Sequence, residues 1–441
     1  MRVVIIGGGI AGLVAAYELS KAGGHVTLVE RDSRLGGLAG AFAIEPGVEI
    51  ERYYHFICKH DREYLTMLDT LGIRDRLRWA TTEMGLFHNG TLRSFGDPVS
   101  LFTHPSLSLA EKVRFAVATV RAKLRRAGDW SALENRTAIE WLIESYGTAG
   151  YELLYRSLLE KKFRQFAPRI SAAWMWARLN RVGNSRTITQ RERIGYLVGG
   201  TQAYIDALAG AARSAGAEIR LGTQALELLH EGDHLAAVRS NEGALAADFV
   251  LVTVPIPHAV ALFAGLDGAY FANLRSLEYI NVLAVVLRLS RQFTRYFWTN
   301  ASDLHIDLPG IIEFTNLNPC PELGGDAVLY MPQYLPSEHP FWSTGDDELV
   351  RLFCGYLALI RPEFSPGWVR QSWVFRSRYA QPICETGFSR RIPSIDTPVP
   401  NLFLTDSYQL HPHDRTISNS TYLGQEASRR ILAAARLARP R

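Results

Sequence analysis

The chain opens on RVVII (residues 2–6), a short β-branched run with the pattern of a strand buried on both faces. Glycines follow at positions 7, 8, 9 and 12, and the apolar period then changes from strand to helix. Over residues 11–22, Leu13, Ala16, Tyr17 and Leu19 fall at helical spacing, and Gly23 and Gly24 end the helix. HVTLVE (residues 25–30) predicts a second strand, closing on an acid. These pieces make one complete βαβ unit. Further on, EIRLGTQALELL (218–229) and FVLVTVP (249–255) read as strands, the second with Asp248 at its mouth. NLFLTD (401–406) is another strand ending on an acid, before a helix predicted over about 418–438. Residues 90–194 are helical and aromatic. Residues 271–384 are strand-like, with VLAVVLRL (282–289) and AVLYM (327–331) as the clearest runs. No internal repeat or low-complexity tract supports a solenoid or propeller.

Composition changes this picture little. In 441 residues, 47% are hydrophobic and 21% charged, as in a chain with a sizeable buried core, so disorder, collagen and coiled coil are excluded as the main state. A net charge of +4 is too weak to argue for nucleic acid. Cys58, Cys320, Cys354 and Cys384 show no tight spacing, which excludes a disulfide framework or cysteine zinc site and fits a reducing compartment. Residues 3–17 carry no charge, yet four glycines and a length short of the roughly 20 residues of a spanning helix argue for part of the fold. The expectation is a cytoplasmic chain, soluble or at most peripheral to a membrane.

The glycines match G-x-G-x-x-G between strand and helix. Gly7 permits the tight turn, Gly9 lets a pyrophosphate approach the backbone, and Gly12 lets helix and strand pack closely. Ile10 and Ala11 open the helix, whose unpaired amides and positive dipole end face the phosphates. Glu30, eighteen residues past Gly12, stands where an acid accepts the hydroxyls of an adenosine ribose and speaks against a 2′-phosphate. Downstream come Arg31 and then Arg34-Leu35-Gly36-Gly37.

With that second loop the sequence resembles the flavin-dependent amine oxidase and protoporphyrinogen oxidase superfamily, which includes phytoene desaturase-like enzymes and UDP-galactopyranose mutases. The resemblance implies an α/β architecture: a Rossmann-like FAD-binding domain, discontinuous in sequence (1–90, 195–270 and 385–441), with an inserted mixed α+β substrate domain (91–194 and 271–384). It implies FAD, with Arg31, Arg34, Gly36 and Gly37 along its pyrophosphate and ribityl chain. GYLVGGTQAYIDAL (195–208) is similar to the family's Gly-Gly approach to a helix, here continuing to about Ser214. The Ala225 region is implied to lie against adenine. Thr405-Asp406 keeps the acid of the family's Gly-Asp strand end, so Asp406 is either a ribityl acceptor or a turn cap. The helix start near Ile417 is implied to point its dipole at the flavin.

Several side chains are candidates to flank a flavin. IERYYHFI (50–57) resembles the family segment in which a histidine lies near the ring, which makes His55 a catalytic candidate or a satisfied core histidine. Lys162 is a candidate for the lysine that relatives hold near flavin N5. Trp174 and Arg178 share a helix face, and Arg181 adds a second cation, a set suited to binding a phosphate or carboxylate beside apolar bulk. A packed aromatic helix with solvated charges is the alternative. FRSRYAQP (375–382) resembles a stretch bordering the active cavity, with Tyr379 as its aromatic wall. His411, His413 and Asp414 imitate a metal site but lack two secondary-structure anchors, so no metal is expected. The segment 110–126 carries basic positions at 112, 114, 121, 123, 125 and 126, and reads as a solvated face or as an interfacial helix at a membrane.

These observations lead to an FAD-dependent oxidoreductase of dehydrogenase, oxidase or desaturase type. It would pass hydride from a small or lipid-like substrate to flavin N5. The alternatives are a UDP-galactopyranose mutase-like isomerase and a flavin-bearing scaffold without turnover. Substrate, electron acceptor and oligomeric state stay open.

Overall fold

The computed structural model describes residues 1–125, 127–184 and 192–438. Two sheets organise the chain. The first is parallel, and runs in spatial order Leu402–Leu404, Phe249–Val252, Arg2–Ile6, His25–Glu30 and Glu218–Leu221. In the central strand Val3 pairs with Val26 and with Phe249, so the β-branched run is hydrogen-bonded on both edges and covered on both faces. The helix Ile10–Lys21 follows the glycine turn. The helices Gly200–Ser214 and Ile417–Leu437 pack beside it. A Cβ on Gly424 would lie 2.5 Å from the Ala11 carbonyl oxygen, so the contact between the first and last helices depends on that glycine.

The second sheet has seven strands, in the order Val369–Pro382, Tyr279–Leu289, Ala327–Leu335, Gly310–Glu313, Trp298–Ala301, Met84–His88 and Thr91–Phe95. Its centre is the eleven-residue strand Tyr279–Leu289, buried on both faces. The Met84–His88 and Thr91–Phe95 hairpin belongs here, on either side of the expected boundary at residue 90. The helices Leu109–Leu124, Ala138–Gly150, Arg156–Phe163 and Ala172–Asn184 pack together beyond it around Phe115, Trp141, Tyr146 and Trp176.

One expected element divides in two. Residues 218–229, read as a single strand, form Glu218–Leu221 in the parallel sheet and Ala225–Glu231 in a separate antiparallel meander. The break is at Gly222, whose φ of +66° turns the backbone.

Candidate active site

The glycine turn has the form that a close-lying phosphate requires. Gly7 has φ +113°, and a Cβ there would stand 2.7 Å from Thr253 Oγ1. A Cβ on Gly12 would lie 2.0 Å from the Gly7 carbonyl oxygen, so any side chain would force the helix off the strand. Gly9 is different: a Cβ there would meet nothing within 4 Å. Gly9 is also the N-cap of the helix, with no side chain capping it. The first-turn amides of Ile10, Ala11 and Gly12 are therefore offered to an anion over an open glycine floor.

The second glycine loop folds back onto this turn. Gly36 donates its N–H to the Gly8 carbonyl at 2.9 Å, and a Cβ on Gly37 would lie 3.6 Å from Gly9 Cα. Glu30 accepts from Gly8 N–H at 2.7 Å and from Asp32 N–H at 2.9 Å. Two amides thus fix its carboxylate, and each oxygen keeps a second lone pair for a ribose hydroxyl. Thr223 donates its N–H to the Glu30 carbonyl at 2.9 Å, which brings Ala225 to the same edge. An uncapped helix start, open space over Gly9 and an acid held at the turn's mouth fit the diphosphate and ribose of FAD. Arg34 is half exposed and pairs with Glu49 at 2.6 Å, and Arg31 is exposed beside Asp32.

A cavity of about 570 Å³ lies where the N-terminus of Ile417–Leu437 meets the second sheet and the helical layer. At one end stand His55, Lys162, Arg178, Arg181, Asp414 and Arg415. Arg178 donates to Asp414 at 3.2 Å and Arg181 to Asp61 at 3.1 Å. The Arg181 guanidinium also lies 5.1 Å from the Phe56 ring. Lys162 Nζ stands 4.7 Å from the Tyr334 ring centroid and 4.9 Å from that of Trp174. Burial, aided by the Arg178 charge, pushes the Lys162 ammonium down to about 7. Burial alone would raise the Asp414 carboxyl, but Lys162, Arg178 and Arg415 outweigh it and hold it below its ordinary value. Burial and then the Arg415 charge push His55 down to about 4, and its Nδ1 is buried without a hydrogen-bond partner among the described residues. Much of the remaining lining is apolar, with Phe95, Leu101, Phe115, Leu154, Leu158 and Leu179, and Asp97, Lys123, Glu192, Asn300 and Gln381 are interspersed among them.

His55, Lys162, Arg178, Arg181 and Ile417 thus meet in one cavity, with Trp174 behind Lys162. Two expected residues do not join them. Tyr379 lies outside the lining: its backbone is left-handed at φ +57°, its N–H donates to Asn281 Oδ1 at 2.8 Å, and its ring packs on His258 and Tyr279. Tyr334 provides the aromatic wall instead. Asp406 is the cap of the short helix Ser407–Leu410, accepting from Tyr408 N–H at 2.8 Å, Ser407 Oγ at 3.2 Å and Ile256 N–H at 3.1 Å. Those contacts make Asp406 the turn cap that was one of the two roles open to it. His411 is wedged between Trp130 and Phe388. Asp61, Tyr334 and Arg415 were not foreseen from the sequence. Asp414 was noted only beside the histidines, and its pairing with Arg178 spans 236 positions.

The family described as "Flavin containing amine oxidoreductase" matches residues 10–432. A 15-cis-phytoene desaturase of Synechococcus elongatus is 30% identical over 32% of this chain and 33% of its own length. A solved structure of reduced UDP-galactopyranose mutase superposes with a TM-score of 0.74 at 17% identity, over 98% of this chain and 95% of that one. Cyclohexylamine oxidase from Brevibacterium oxydans IH-35A gives a TM-score of 0.71 at 16% identity, over 99% of both chains. At such identities these two structures establish the fold alone. The chain spans between a third and about half of the length of the first two curated relatives, 33% and 54%.

Proposed function

The chain belongs to the family of flavin containing amine oxidoreductases, and from that premise we propose that it is an FAD-dependent oxidoreductase acting on a carbon–hydrogen bond of a small or lipid-like substrate held in the cavity. The observation that carries this reading is the cavity's combination of a largely apolar wall with a cluster of cations beside the first turn of Ile417–Leu437. FAD, the family's usual cofactor, supplies the two-electron acceptor when bound. Gly9, Ile10, Ala11 and Glu30 would hold its diphosphate and ribose. The apolar wall excludes water and seats hydrocarbon. Arg178, Arg181 and Arg415 orient an anionic group on the substrate, with Asp414 and Asp61 fixing the first two guanidinia. Lys162, pushed down to about 7 and so in part neutral at physiological pH, takes a proton at Nζ when the substrate releases one.

Anaerobic titration with amines, porphyrinogens and polyprenes tests this: at least one class bleaches the bound flavin, and oxygen, quinone or NAD(P)⁺ restores its colour. Purified protein without flavin, or flavin that no class reduces, would sink the reading. A second reading, sugar-nucleotide isomerisation, draws support from three guanidinia lining one cavity, which suit a diphosphate. Ring contraction of UDP-galactose under dithionite would favour it. Residence in the cytoplasm, with peripheral membrane contact, belongs to the leading reading. Among the described residues the four cysteines are free and buried, and no helix is long and apolar enough to cross a membrane.

A further inference from the structure

We propose that the helix Leu109–Leu124, together with Val99 and Phe102 just before it, is the face by which this protein lies on an anionic phospholipid surface, and that the active cavity opens beside that face. The proposal rests on the oxidoreductase reading only for what passes through the opening.

The helix buries Phe115, Ala118 and Ala122 against the helical layer. At ~100° per residue, Leu109, Val113, Val117, Val120 and Leu124 fall in one narrow stripe on the opposite side. Their exposures are 71%, 48%, 43%, 54% and 75%, and Val99 and Phe102 add 71% and 45%. A helix facing water would carry polar residues there. Charge brackets the stripe instead: by the same spacing Arg114 and Arg121 flank one side, Lys112 and Lys123 the other. A helix lying in a membrane interface needs this arrangement, with its apolar face among acyl chains and cationic stems reaching up to the headgroups. Packing on the helical layer and a capping box closed by Ser108 and Glu111 at its start hold the helix before any lipid contact.

What lies on each flank identifies the occupant. On the arginine side is a groove of about 420 Å³ lined by Arg114, Arg121, Arg125 and Arg136, with Trp141 in its wall. Glu144 is the one acid in that lining among the described residues. It pairs with Arg136, and its backbone carbonyl accepts from Arg114 at 2.6 Å. The excess of guanidinium suits a lipid phosphate and would repel a basic partner. On the lysine side Phe102, Ala116, Val120 and Lys123 line the active cavity. An apolar stripe between a phosphate-suited groove and a cavity mouth fits a bilayer surface from which hydrocarbon is drawn. Arg126, the last basic position of this segment, lies outside the described residues.

Flotation of the full chain on vesicles of phosphatidylglycerol with phosphatidylcholine, and of phosphatidylcholine alone, tests the proposal, with gel filtration alongside. The wild type floats with the anionic vesicles and is released by salt. Val117→Asp with Leu124→Asp weakens flotation by about tenfold or more, and the milder Val117→Ser with Leu124→Ser moves it the same way. Arg121→Glu with Arg125→Glu removes the preference for anionic lipid. All three variants keep the flavin spectrum of the wild type, which shows that they fold. A wild type that stays down with both vesicle types overturns the proposal, as does equal flotation of the aspartate variant. A wild-type dimer that the aspartates disperse assigns the stripe to a second copy and overturns it too. Vesicle binding by a colourless wild type would uphold the docking face while defeating the flavin reading.

Discussion

Lys162 is the side chain whose environment departs furthest from water among the cavity's cations. Its ammonium is pushed from 10.5 to about 7, first by burial and then by Arg178. In the unfolded chain it titrates at its ordinary value, so between those two limits the unfolded state binds more protons and stability rises with pH. The contribution is complete only above the ordinary lysine value and is lost as pH falls through about 7. Lys162→Met removes that penalty. Its melting temperature, relative to wild type, should therefore gain more at about pH 6 than at about pH 9. If Nζ accepts the substrate's proton, anaerobic bleaching by wild type rises through about pH 7, and the methionine variant lacks that limb. Thermal melts and stopped-flow bleaching read the two effects separately. At this scale the sequence was only partly legible. Trp174 and Arg178 announce their shared face by spacing, and the ring and guanidinium lie 6.0 Å apart. Tyr379 misled because nothing local betrays a left-handed φ at a tyrosine, and the partners of the Asp406 cap include Ile256, 150 positions away.

Among the elements, the βαβ unit is the most legible. Both of its strands lie where the hydrophobic pattern put them, and its helix is displaced by one residue. Close packing at Gly12 carries this geometry, so Gly12→Ala should cost about 1–3 kcal/mol through overpacking and strip the flavin absorbance. Gly424→Ala crowds the Ala11 carbonyl from the far side of the same helix. It should lower the melting temperature while the folded fraction keeps its colour, because the glycine floor is untouched. Absorbance spectra of matched protein concentrations distinguish the pair. The element read least well was 218–229, where hydrophobic continuity concealed a turn. Gly222 was the available signal, and a glycine inside a strand pattern marks such breaks. In the helix Leu109–Leu124 the basic positions were visible in sequence. Which apolar residues face outward depends on where Phe115 docks.

For the whole molecule, the insertion of one domain into another was legible only through family resemblance, because composition does not change across the joins. The second sheet is stitched to the hairpin of Ala41–Glu45 and Val48–Glu51, which follows the second glycine loop, by contacts without a sequence signature. Tyr330, fully buried in the second sheet, donates its hydroxyl to the Glu51 carbonyl at 2.6 Å, and Arg288 bridges Asp326 and Glu45. Tyr330→Phe leaves that carbonyl unpaired and should cost about 1–3 kcal/mol in urea unfolding. A loss within experimental error would mean that the hydroxyl adds nothing to the join.

The parallel sheet also dictates a timetable. Its centre is made by residues 2–6, yet one neighbour arrives at 249–252 and the outermost strand at 402–404, with the helix that seals the opening turn later still. A nascent chain emerging from the ribosome exposes the glycine turn long before anything can close over it. Pairings so distant along the chain are slow to form. Cofactor capture is therefore a late, post-translational event, and until then the unfinished sheet edge is the surface that a chaperone has to shield.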